Sequence, residues 1–219
     1  MTATHNALLG AFSKHSHFDE LSEYLNVRGN ILTPAERTAL ARSNLGLPPG
    51  VWTAEDAVTP GAGITSGVGT VFESERIIRG NHILTRIFID LTGLNGGDAD
   101  GDAIGATGAA HIGQITAAAF GAPCYGRMIC LETPAGGADD IDLGANVSGA
   151  VANDAAVISG GTAILTAGAA WTAGVQRNFG ALITADDYLY LCAGEGSGGS
   201  AYTAGRFIIE IEGSTFVGT

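Results

Sequence analysis

The sequence predicts a mainly β protein, an antiparallel β-sandwich or jelly roll, with a short helical N-terminal arm. Three observations carry this. Helical periodicity is confined to about the first 50 residues, and roughly eight to ten short apolar or alternating segments follow, separated by turn residues. Gly is abundant, at 34 of 219 residues, but it is interleaved with apolar residues and has no Gly-X-Y period. That pattern excludes collagen and simple low-complexity disorder and fits many tight turns between short strands.

Residues 1–50 form the arm. In "HFDELSEYL", Phe18, Leu21, Tyr24 and Leu25 share one helical face. A second helix starts at "LTPAERTALARSNLGLPPG": Thr33 is the N-cap, Pro34 occupies the first helical position and Glu36 completes a capping box. Gly46 and Pro48-Pro49 stop it.

Residues 51–219 form the β body. "GVGTVFES" reads as a strand, and "RIIRGNHILTRIFIDLTG" as a hairpin turning at Gly80-Asn81. "AHIGQIT", "YGRMICLET" and "DIDLGA" read as short strands, and "AAVISGGTAILTAG" with "FGALITA" supplies two or three more. The chain closes with "DYLYLCAG", the loop "EGSGGSAYTAG" and "RFIIEIEG", where Glu210 and Glu212 alternate with Ile209 and Ile211 as on a strand with one wet face. Thr-Ala-Gly recurs at Thr166, Thr172 and Thr203 with irregular spacing, so it marks turns and not a solenoid repeat.

Charge narrows the function classes. The formal net charge is −12 with only 10 Lys+Arg, which disfavours sequence-independent binding to nucleic acid and to anionic membrane surfaces. Apolar runs fall short of the roughly 20 residues that span a bilayer, and the N-terminal apolar patch has no basic leader of the signal-peptide kind. Only 15% of residues are charged, leaving a surface that other subunits could cover. Cys124, Cys130 and Cys192 are odd in number and loosely spaced, which reads as buried free thiols in a chain folded in a reducing cytosol.

Motifs for chemistry are sparse, and the reading is of a protein that is not an enzyme and carries no cofactor. No G-x-S-x-G elbow or H-E-x-x-H occurs. His15 and His17 point to different faces of a helix, His82 falls in a turn, and His111 reads as a strand histidine bonded to a neighbour. Gly194, Gly196 and Gly199 match G-x-G-x-x-G, but the next segment reads as a strand where a dinucleotide site needs a helix. Asp139, Asp140 and Asp142, or Asp186 and Asp187, are paired carboxylates in turn contexts, with too few aromatics nearby for a sugar cleft. Asn146-Val-Ser148 fits the glycosylation sequon.

Asp98, Asp100 and Asp102 are the metal candidates. Counting Asp98 as the first position of a calcium loop puts Ala103 where Gly is required and Ala109 where a bidentate Glu is required. The sequence therefore favours a strand connection without an ordered metal, and a cation site built with backbone carbonyls stays as the alternative.

"GDAIGATGAAHIGQITAA", "GRMICLETPAGGADDIDL", "AGAAWTAG" and "DDYLYLCAGEGSGGSAYTAGRFIIEIEG" together resemble a group of bacteriophage virion proteins common in marine and cyanobacterial phages. "ILTPAERTALARSNLGL" is similar to short helical segments of phage structural proteins. The resemblance covers about residues 65 to 213 and rests on packing and turn residues. It implies a capsid decoration (cement) protein, made in the host cytoplasm and placed on the capsid surface of the virion. There it would bind the major capsid protein and bridge capsomers, as a homo-oligomer with a trimer foremost. In that role the arm makes capsid or subunit contacts. The alternative is a head or tail fibre, or adhesin, subunit that binds host-surface glycans.

Overall fold

The computed structural model describes residues 52–55, 57–197 and 199–215. The expected arm, including the helix capped by Thr33, lies outside the described residues.

Among the described residues, ten antiparallel strands form two sheets. In chain order they are β1 (Trp52–Glu55), β2 (Val71–Arg79), β3 (His82–Asp90), β4 (His111–Gln114), β5 (Ala122–Ala135), β6 (Ile141–Asn146), β7 (Thr162–Leu165), β8 (Gln176–Asn178), β9 (Tyr188–Ala193) and β10 (Ala204–Ser214). One sheet has the order β1-β2-β3-β10-β5-β8 and the other β4-β9-β6-β7. Two single-turn helices, α1 (Ala62–Thr65) and α2 (Ala117–Phe120), sit in the connections.

From β3 onward the pairing is nested. β3 pairs with β10, β4 with β9, β5 with β8 and β6 with β7. First pairs with last and so on inward, as in a long hairpin rolled into two layers, which is the jelly roll. β1 and β2 widen the first layer beyond β3.

The strand residues dictate the layering. β3 buries Ile83, Thr85, Ile87 and Ile89 and turns Leu84, Arg86 and Phe88 the other way, a strict period of two. Phe207, Ile209 and Ile211 of β10 and Met128 and Cys130 of β5 line the same core. Leu143, Leu189, Leu191 and Ile112 meet them from the second sheet. Each such side chain contributes about 1.5–3 kcal/mol when fully buried. Trp171 plugs this core. It is fully buried, donates Nε1–H to the Ile141 carbonyl at 2.8 Å and meets the Phe207 ring edge-on at 5.4 Å.

The second sheet is covered on its other side as well. Tyr190 and Cys192 of β9 pack there with Ala103, Ala110 and Val157, supplied by the connections β3–β4 and β6–β7. "DYLYLCAG" is therefore apolar on both faces because the chain buries both faces.

Several details differ from the sequence reading. "FGALITA" is not a strand; the strand is Gln176–Asn178 just before it. Phe179 instead swings over Gly126, and a Cβ on Gly126 would sit 2.0 Å from the ring. This close approach suspends the β pattern, since the ring fills the space a strand side chain would take. His82 opens β3 and is not in the turn. Cys130 and Cys192 are buried, but Cys124 is exposed.

Candidate functional site

The outer face of the six-stranded sheet is built from the alternate residues that the core does not take. Register places them in rows across the strands. Arg206 of β10 stands beside Asp90 of β3 and Glu132 of β5. The next row is apolar, with Phe88, Ile208 and Ile129 side by side. Then come Glu75, Arg86, Glu210 and Arg127 from four successive strands. Ile77, Leu84, Glu212 and Tyr125 follow.

The charged rows are tightly paired. Arg86 Nε donates to Glu210 Oε1 at 2.7 Å and its Nη1 to Glu75 Oε1 at 3.0 Å. Arg127 takes the second oxygen of Glu210. Burial alone would raise the Glu210 pKa, but the Arg127 and Arg86 guanidiniums hold it below the ordinary carboxylate value. The Glu210 side chain is only 8% exposed, so the expected wet face of this strand is roofed by arginines. Asp90 behaves alike: burial pulls it up, and the Thr92 hydroxyl and Arg206 outweigh that. His82 Nε2 lies 3.2 Å from Glu212 Oε2 at the end of the sheet.

Charge is unevenly distributed. From Trp52 onward the chain has six arginines, no lysine and eighteen carboxylates, so this part carries the whole −12. Four of those arginines, at 79, 86, 127 and 206, lie on the outer face with six carboxylates. Ten of the other carboxylates lie in the loops and on the second sheet. Arg76 turns the other way, to the Ala118 carbonyl of α2. Arg177 lies over the Trp171 ring, 4.6 Å from its centroid.

The expected site residues fall as follows. Asp98 and Asp100 are exposed in the β3–β4 connection, while Asp102 Oδ2 accepts the Ala99 N–H at 3.0 Å and closes a local turn. The Asp98 N–H donates to Asp154 Oδ1 at 2.7 Å. Among the described residues, no group of three or more His, Cys, Asp or Glu is arranged to hold a metal ion. Asp142 is buried, and its Oδ1 accepts the Ala167 N–H at 2.6 Å. Burial raises the pKa of Asp142, as it does that of Asp140. The fold therefore brings the 98–102 loop near Asp140 and Asp142 as an acidic neighbourhood and separates both from Asp186 and Asp187, which precede β9.

Asn146 is buried and donates to the Val157 carbonyl at 2.9 Å, so its amide is engaged inside the fold. His111 lies in β4 as expected, but no hydrogen-bond partner meets its Nδ1; the ring packs edge-on against Tyr188 at 4.9 Å. The described residues of 194–203 connect β9 to β10, so a strand and not a helix follows Gly194, Gly196 and Gly199.

The Arg-Glu ladder was missed in the sequence. Its signal is present, since Glu75, Arg86, Arg127 and Glu210 all fall on the non-core parity of their strands. Their meeting depends on a strand order that places residue 210 between residues 86 and 127.

No known protein-family model, curated protein or solved structure matches the chain.

Proposed function

We propose that this chain is a bacteriophage capsid decoration protein that acts by binding, as a homo-oligomer on the outer surface of the head. The observation that carries the reading is the segregation of charge on a two-layer β body. Ten loop and second-sheet carboxylates suit a basic patch on a shell, and the mixed-charge outer face suits contacts between subunits. Bridging of capsomers needs two such dissimilar surfaces on one rigid body. A trimer is the stoichiometry that the family resemblance implies.

The test is particle stability. Virions stripped of this protein should release DNA at lower temperature or lower urea than intact virions, and adding the protein back should restore the threshold. Equal thresholds would defeat the reading.

One feature favours a second reading, a fibre or adhesin subunit that binds host-surface glycans. A polar cleft of about 420 Å³ lies between Pro134–Asp139 and Glu195–Ser197, beside the Gly-rich loop. Binding on a glycan array that is lost on filling the cleft with Glu195→Trp, at an exposed lining position, would support it over decoration.

A further inference from the structure

We infer that the outer face of β2, β3, β10 and β5 binds a second copy of this chain. This inference rests on the reading of the protein as a self-assembling structural subunit.

Three observations point to a copy. The chain covers the outer side of its four-stranded sheet with its own connections, which build a second small core around Tyr190. Among the described residues nothing equivalent lies over the six-stranded sheet, although Phe88, Ile208 and Ile129 form an apolar row at its centre. On the same face Val71 and Leu131 lie next to that row and Tyr125 lies beyond the charged row, and all three are more than 40% exposed.

Charge then selects the occupant. Two copies meeting through any acid-rich surface set carboxylate against carboxylate, which costs free energy. The outer face alternates Arg and Glu along one row and apolar groups along the next, so a second copy can present opposite charge to each. A basic partner would favour the acidic loops over this near-balanced face.

Size agrees as well. Four strands about 4.8 Å apart and nine residues long cover roughly 600 Å² before side-chain relief is counted. That is the order of the ~800 Å² per partner in a stable complex.

The test uses the full chain. Sedimentation velocity from about 1 to 100 µM should give a mass of at least twice the 22.1 kDa of one chain. Ile208→Glu, which puts a carboxylate into the apolar row, should reduce the mass to that of the monomer. Val147→Glu, on an exposed loop, should leave the assembly intact. Should Ile208→Glu fail to fold by circular dichroism, carbene footprinting of the wild type decides. Protection of Tyr125 and Leu131 that rises with concentration supports the inference.

A monomer throughout that range overturns it, including one in which residues 1–51 cover the face. An assembly that survives a folded Ile208→Glu, or protection confined to other surfaces, also overturns it. Unchanged virion stability would defeat the decoration reading while leaving this contact standing, so the two fail separately.

Discussion

Arg86 Nε lies 2.7 Å from Glu210 Oε1 across the β3–β10 pair, on the side of the sheet turned away from the core. Arg127 holds the other oxygen from β5, so one carboxylate ties three strands together. Glu210→Ala should destabilise the fold by about 1–2 kcal/mol, discounted because both arginines are more than a third exposed. The folded pKa of Glu210 is depressed, so its contribution is complete above the ordinary Glu value and is lost as pH falls through the lower folded value. Urea melts of wild type and Glu210→Gln from pH 3 to 7 should converge at the acid end.

Asp142 has the opposite sign. Burial first, then the charges of Asp140 and Asp100, raise its pKa against the backbone bond from Ala167 and the charge of Arg177. A carboxyl whose folded pKa is raised weakens the fold once ionised, so stability from this group grows as pH falls through the raised value. Asp142→Asn keeps the acceptor and removes the charge. Its Tm at neutral pH should rise by about 2–4 °C, a shift that roughly 1 kcal/mol brings in a domain of this size. A fall in Tm would show that the charge is needed.

Gly126→Ala should cost about 1–3 kcal/mol by overpacking, because its Cβ would lie 2.0 Å from Phe179. Adding Phe179→Leu should recover part of that loss in the same denaturation assay. Strict additivity of the two changes would argue against the contact.

Trp171→Ala should cost about 3–5 kcal/mol, since it empties a fully buried site, removes the donor to Ile141 and uncovers the Arg177 guanidinium. Near-ultraviolet circular dichroism should lose the Trp171 part of its tryptophan signal and keep that of Trp52.

The three cysteines should react unequally. Cys124 is exposed, while Cys130 and Cys192 are buried and burial pushes both thiols up in pKa. A thiol reagent should modify about one group per native chain and all three only after unfolding. Fast reaction of a second thiol in the native state would contradict the packing around it.

Local rules made much of the fold legible. The Gly80-Asn81 turn, the alternation of Ile83, Ile87 and Ile89, and the closing strand at residues 206–213 are visible because side-chain parity and turn chemistry act within a few residues. β8 was hidden because Gln176-Arg177-Asn178 is polar in sequence; its pairing with Ile129, Met128 and Arg127 places it at the sheet edge. "FGALITA" misled for the converse reason, since Phe179 packs over Gly126 and Ile183 enters the core without strand pairing.

The candidate site was less legible than the fold. Composition alone determined that the chain is acidic and poor in charge, and the run of short strands determined its β class. Tertiary structure alone decided which carboxylates met arginine. The nested order β3-β10-β5 brings residues 86, 127 and 210 onto one row, while Asp100, Asp140 and Asp142 gather elsewhere. Strand parity is a property of neighbours in sequence, whereas electrostatic pairing falls off within ångströms and depends on neighbours in space.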